Sequence, residues 1–223
     1  MEVIYLMKIK LNKNNSIIII VSMLLISLLF NIYISIMNSR YKIMAGKESY
    51  RYIEEIKHRN DSSLVILEQS VQVGSISNGE LLSLYKNYNS ILDSTVQLCN
   101  SYGTYYNEHI IKFSSKSNKF QMKENEVFSR IESLVFEYLN LEMKNSTSKL
   151  VLDGKKLEDF TKMKEVANDV QNFLIEFNNK YLENLEDEKR EKKIIKKDYW
   201  IDMYIGVNEV TEKYIDYPFV IEN

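Results

Sequence analysis

Residues Ser16–Met37 read SIIIIVSMLLISLLFNIYISIM, and the reading of this stretch decides the architecture. No charged residue falls between Lys13 and Arg40. About 20 apolar residues carry a helix across the hydrocarbon core of a bilayer, so the run is long enough to span. A helix of this length that is apolar on every side has no polar face to give to water. Its serines (Ser16, Ser22, Ser27, Ser35) can return their hydroxyls to carbonyls one turn earlier. Asn31 lies in the last third of the run, within reach of headgroups or a partner helix. Tyr33 suits the membrane interface.

Two alternatives fit less well. A cleaved signal peptide has an apolar region of roughly 7–15 residues followed by small residues at the cut. Ser35-Ile36-Met37 is a poor site of that kind. A lipoprotein needs a cysteine directly after the apolar region, and the single cysteine is Cys99. The sequence therefore predicts an uncleaved single-span anchor over residues 16–38. On its N-terminal side, residues 1–15 carry Lys8, Lys10 and Lys13 and read as a short basic cytoplasmic tail. Positive residues flanking a first span usually stay inside. This predicts a cell-membrane protein with its N-terminus in the cytoplasm and its C-terminal part outside. Arg40, Lys42, Lys47 and Arg51 on the far side oppose that orientation.

On the C-terminal side the composition points to long helices. The 223 residues include six glycines and one proline, far fewer turn residues than average. Abundant Ile, Lys and Asn, with 24 Lys against 5 Arg, suggest an AT-rich bacterial genome. A formal net charge of −2 lacks the basic excess of a nucleic-acid binder. One cysteine excludes an internal disulfide framework.

Residues 40–73 carry Tyr50, Ile53, Leu64, Leu67 and Val71 on a helical rhythm, interrupted by Lys57 and Asn60. Asn60-Asp61-Ser62-Ser63 reads as a break or a restart, and Gly74 as a helix end. Ser77-Asn78-Gly79-Glu80 is a capping box. It opens a helix with the seam Leu81, Tyr85, Tyr88, Leu92, Thr95, Cys99, Tyr102, Tyr106, His109, Phe113, widened by Leu84, Ile91, Leu98 and Tyr105. Ser114–Lys119 reads as a turn. A third helix carries Val127, Ile131, Leu134, Tyr138 and Leu141. Leu150-Val151-Leu152 is an apolar patch before a turn at Asp153-Gly154. The fourth helix carries Phe160, Met163, Ala167, Val170, Leu174, Phe177 and Tyr181, and nothing stops it from continuing through Glu186–Lys193. A fifth, over roughly 198–216, carries Trp200, Met203, Val207, Val210 and Tyr214, and Pro218 ends it. The fold class is all-α: an N-terminal transmembrane helix, then an elongated antiparallel four- to five-helix bundle over residues 39–217 and a tail over 218–223.

The chemistry-bearing residues are few. Glu55 and His58 make one Glu-x-x-His pair, but a di-iron bundle needs two, and the residue three before His109 is Tyr106. Cys99 reads as a small buried hydrophobe. With both histidines on helices, no nucleophile–base pair can be argued. These readings predict no cofactor, no metal and no catalytic residue. The tyrosines carry more. Tyr85, Tyr88, Tyr102, Tyr105 and Tyr106, with His109 and Trp200, form a candidate surface for a partner or ligand. A tyrosine-rich core with hydroxyls at its rim is the competing reading. The run Lys189, Arg190, Lys192, Lys193, Lys196, Lys197 is either a solvated helix supported by Glu186–Arg190 and Glu188–Lys192 pairs, or part of a basic collar. In an antiparallel bundle the collar would join these residues with Arg40, Lys42, Lys112, Lys116 and Lys119 at the anionic headgroups.

These readings predict a non-enzymatic membrane-anchored bundle that works by protein–protein interaction, as a scaffold or accessory subunit at the bacterial cell envelope. Its partner is another protein or a second copy, met through an exposed apolar or tyrosine-rich stripe on the fifth helix. The alternative is an extracytoplasmic bundle that senses a small molecule in an enclosed pocket lined by tyrosines and His109.

Overall fold

A computed structural model describes residues 13–108, 125–145 and 147–221. These form helices α1 (Lys13–Val73), α2 (Asn78–Glu108), α3 (Glu126–Asn145), α4 (Gly154–Tyr181), α5 (Asp187–Lys196) and α6 (Tyr199–Glu212). Two short strands, β1 (Ser75–Ser77) and β2 (Lys149–Val151), complete the described elements. The chain divides into two compact units, residues 1–42 and 43–223. In the first unit, every large apolar residue from Ile17 to Met37 is exposed. This helix is long and apolar enough to cross a membrane, with a mean hydropathy of 2.7 over its most apolar window.

The second unit is a helical bundle, with the short β1–β2 pair, built on the later part of α1. Gly46, Ser49, Ile53, Ile56, Asn60, Ser63, Leu67 and Ser70 are all buried there. Their steps of three and four make one seam along the helix. The break expected at Asn60–Ser63 does not occur: neighbouring helices hold the Asn60 amide nitrogen, Asp61 and Ser62, while Asn60 Oδ1 and Ser63 Oγ are buried without a partner among the described residues. Asn60 Nδ2 donates to the Ala167 carbonyl at 2.8 Å. Gln171 Nε2 donates to Asp61 Oδ1 at 2.9 Å. Asn87 Nδ2 donates to Ser62 Oγ at 3.1 Å. Residues that favour turns when they bond their own backbone remain helical when α2 and α4 offer better partners.

Gly74, at φ +72°, ends α1 in the left-handed conformation. The chain then forms β1, antiparallel to β2, with Ile76 opposite Leu150. The sequence shows Leu150–Leu152 only as an apolar patch. The ladder is too short to carry a period-two signal, and its partner lies over 70 residues away. It ties the α1–α2 turn to the α3–α4 turn, helped by Asn78 Nδ2 donating to the Thr147 carbonyl at 2.6 Å. The capping box forms as expected. Glu80 Oε2 accepts from the Ser77 amide at 2.9 Å and from its hydroxyl at 2.6 Å. Those two bonds hold the Glu80 carboxyl below its ordinary range.

The buried face of α2 is Leu81, Leu84, Tyr88, Ile91, Thr95, Leu98 and Tyr102. Tyr85, Leu92 and Cys99, expected at its centre, are half-buried at its edge. The stripe is wide enough for either axis, and tertiary packing selects the more aliphatic one. Helix α4 stops at Tyr181 rather than running on. Asn184 takes a left-handed φ of 61°, and α5 begins at Asp187. Lys193 Nζ donates at 2.6 Å to the carbonyl of Tyr181. A carbonyl at a helix end has no partner within its own helix, so a returning lysine favours the stop. Helix α5 packs on α1 so closely that a Cβ at Gly46 would sit 2.9 Å from Ile195 Cγ2.

Helix α6 is not an isolated fifth helix. Trp200, Met203, Tyr204 and Val207 are buried, and the helix packs against α2, α4 and α5. Asn125 caps α3 by accepting from the Phe128 amide at 3.0 Å. Its Nδ2 reaches α6, at 2.9 Å from Asn208 Oδ1 and 2.8 Å from Thr211 Oγ1. After α6 the chain folds back along α4. Asp159 is fully buried. It accepts from the Tyr138 hydroxyl at 2.7 Å and from the Tyr217 hydroxyl at 2.7 Å, with Lys155 Nζ at 3.1 Å. Further along, Asp169 accepts from the Tyr214 hydroxyl and pairs with Lys213 at 2.5 Å.

Burial and the neighbouring carboxylate push the phenols of Tyr138, Tyr214 and Tyr217 well above their ordinary value. A raised phenol means the unfolded chain loses protons first, near pH 10. Stability from these groups is therefore present below about pH 10 and lost as the pH rises further. Alkaline titration followed by circular dichroism should show this loss, with a shallower slope in Tyr217→Phe. Asp159→Ala removes the acceptor of the buried Tyr138 hydroxyl and of the half-buried Tyr217 hydroxyl, and should destabilise the bundle by about 2–4 kcal/mol in thermal or denaturant unfolding.

Candidate functional site

The bundle carries two surfaces that its own core does not explain. The first lies on α2 and α3. Leu82, Phe136 and Met143 are exposed by 39%, 44% and 68%. The Tyr85 ring lies 5.3 Å from that of Phe136, across the two helices. Burial and the adjacent Glu132 raise the Tyr85 phenol. The hydrophobic effect leaves single exposed apolar residues on any protein. Large ones on two neighbouring helices, one of them stacked beside a tyrosine, are the composition of a contact surface.

The second is a cleft of about 550 Å³ between α4 and α6. Its aromatic wall comes from Phe173, Phe177 and Tyr181, four residues apart on α4, and from Tyr199 at the start of α6. Phe177 stands edge-on to Tyr199 at 5.7 Å, and Tyr181 lies 5.2 Å from the same ring. Gly206 forms the floor. A Cβ there would run into the Phe173 ring, so the absence of a side chain is what lets that ring lie across α6. Glu176, Asp202 and Glu209 line the cleft, with Lys180 as its one basic group. Lys180 Nζ sits 5.0 Å from the centre of the Tyr181 ring.

The tyrosines singled out in the sequence do not share one surface. Tyr85 is on the α2–α3 face. Tyr88 is fully buried against Phe128, and Tyr102 is buried against Tyr204 of α6. Trp200 is fully buried in the core. The side chains of Tyr105 and Tyr106, and all of His109, lie outside the described residues. Neither Tyr88 nor Trp200 can meet a partner from where it stands. The rings that line the cleft, Phe173 and Tyr199 above all, were missed because they flank the apolar seam. Their available signal is the spacing Phe173, Phe177, Tyr181, which stacks three rings on one helix face.

The basic residues divide similarly. Arg40 and Lys42 belong to the first unit, and α5 to the second. Lys112, Lys116 and Lys119 lie outside the described residues. On α5, Lys192 pairs with Glu188 at 2.5 Å, as expected. Glu186 pairs with Lys189 at 2.9 Å instead of Arg190. Arg190 turns inward towards Tyr50, whose phenol burial and Glu54 push up to about 12. Lys193 is used as the α4 cap, while Lys196 and Lys197 are exposed. His58 is exposed, and among the described residues no three His, Cys, Asp or Glu side chains converge.

The hydroxyl of Tyr88 is buried without a hydrogen-bond partner among the described residues. Removing a buried polar atom that has no partner is neutral or favourable. Tyr88→Phe should therefore raise stability by up to about 1 kcal/mol in denaturant unfolding. A loss of stability would show that the hydroxyl does have a partner.

No protein-family model matches this chain, and comparison with curated proteins and with solved structures finds no match.

Proposed function

We propose that this chain is a single-pass, membrane-anchored helical bundle that acts without catalysis, by binding another protein through its α2–α3 face. The observation that carries the reading is the exposure of Leu82, Phe136 and Met143 on α2 and α3, with the Tyr85 ring against that of Phe136. The apolar run of residues 16–37 supports permanent attachment to the cell membrane. The basic tail before it supports a cytoplasmic N-terminus with the bundle outside. Helix α6 is a weaker candidate for the contact, since Trp200, Met203, Tyr204 and Val207 are already buried.

The basic residues of α5 support a contact with lipid headgroups. Each lysine near an anionic surface contributes about 1 kcal/mol. Backbone amides of α5 should exchange more slowly in nanodiscs containing phosphatidylglycerol than in neutral ones, and equal rates would remove this contact.

A second reading, a bundle that binds a small molecule, is favoured by the α4–α6 cleft.

Two measurements test the main reading. A single cysteine at Lys156, in a Cys99→Ser background, should react with a membrane-impermeant maleimide in intact cells. Labelling only after lysis would place the bundle in the cytoplasm. A photo-crosslinking residue at position 136 should yield one discrete adduct, either a dimer or a single larger species. The same residue at Glu158 should yield none. Equal behaviour at both positions, or no adduct at 136, would remove the α2–α3 face as the interface.

A further inference from the structure

We infer that the α4–α6 cleft is a binding site for a small organic cation with an alkylammonium or quaternary-ammonium head. The inference rests on the small-molecule reading and gives it a ligand class; it is independent of the α2–α3 contact. Three observations support it.

The first is the wall. Phe177, Tyr181 and Tyr199 stand within 4.7–5.7 Å of one another, ring centre to ring centre, at tilted and edge-on angles. Phe177 is buried behind the other two, and Tyr181 and Tyr199, both half-buried, are the rings that remain partly open at the cleft. Aromatic faces carry partial negative charge and attract cations within about 6 Å of the ring centre. The second is charge. Glu176 and Glu209, both exposed, line the cleft against one lysine, so its lining carries an excess of negative charge even without Asp202. A carboxylate rim over aromatic walls selects a cation over a neutral or anionic ligand, because low-dielectric walls strengthen the attraction. The third is Lys180. Its ammonium already lies 5.0 Å from the Tyr181 ring, so the chain's own cation uses this wall. An external ammonium would compete with it for the wall.

The volume fits this class. A cleft of about 550 Å³ is within the size range of small-molecule sites, and it exceeds what one ammonium head occupies. Gly206 matters to the shape. It leaves room for the Phe173 ring, which a Cβ at that position would strike.

The test uses the full chain in detergent or nanodiscs, with choline as the probe and 3,3-dimethyl-1-butanol, its uncharged analogue of the same shape, as the control. Binding is read by calorimetry and by the shift in thermal unfolding, at constant ionic strength. Choline should bind saturably and raise the unfolding temperature, with at least tenfold higher affinity than the neutral alcohol. Glu209→Gln, an exposed position, should weaken choline binding several-fold. Lys180→Ala should strengthen it, by removing a competing cation. Tyr181→Leu should weaken choline binding while its own unfolding transition stays cooperative. If the alcohol binds as well as choline, the cation assignment is wrong and a small-molecule cleft remains. If neither compound binds, the assignment is also overturned. Lys180→Ala weakening choline would overturn it too, since a competitor cannot help its rival.

Discussion

The bond from Asn60 Nδ2 to the Ala167 carbonyl ties the middle of α1 to α4. Asn60 is fully buried at the middle of the α1 seam. An amide in that position costs several kcal/mol if its donor is left empty. The seam around it is only partly apolar. Ser49, Ser63 and Ser70 are also buried on it. Ile53, Ile56 and Leu67 provide the driving force for packing, but an apolar seam alone permits sliding by a turn. The amide permits one register against α4, and Gln171–Asp61 repeats the constraint one turn along. Asn87 on α2 extends it to a third helix through Ser62 and Arg59.

Once α1 and α4 are in register, the C-terminal segment has one place to lie. Asp159 and Asp169 sit on α4 and each takes a tyrosine hydroxyl from residues 214–217. A buried carboxylate is tolerated only when nearly all its acceptor capacity is filled. Asp159 meets that condition with two phenols and Lys155. Lys155 also lies 4.2 Å from the Tyr217 ring centre, so one cation serves both the carboxylate and the ring. This arrangement holds the end of α6 against α4, and thereby one side of the cleft that α4 and α6 share.

The surfaces left over follow from what packing consumed. Tyr88, Tyr102 and Trp200 went into the core because α2 and α6 face each other and α3 across the bundle interior. Tyr85 and Phe136 stayed at an edge that no further helix of this chain covers among the described residues. Of the basic run, Arg190 and Lys193 were drawn inward to Tyr50 and to the α4 terminus. The remainder stayed in water, where ion pairs such as Lys192–Glu188 contribute little to stability.

The sequence alone determined the elements whose signals are local and long. The apolar run of residues 16–37, the Ser77–Glu80 cap, the stop at Gly74 and the seam of α4 each follow from residue type and spacing. These depend on backbone chemistry and on solvent transfer, which act within a few turns of chain. Tertiary structure decided the rest. Asn60–Ser63 reads as a break because its partners, Ala167, Gln171 and Asn87, lie 25 to 110 residues away. Helix α4 ends at Tyr181 because a lysine 12 residues later returns to its last carbonyl. The strand at Lys149–Val151 exists only through its partner at Ser75–Ser77. The cleft depends on Gly206 lying beneath Phe173, a pairing that no periodicity in either helix contains. Where a group's free energy depends on which distant atom satisfies it, the order of residues shows the need but not the partner.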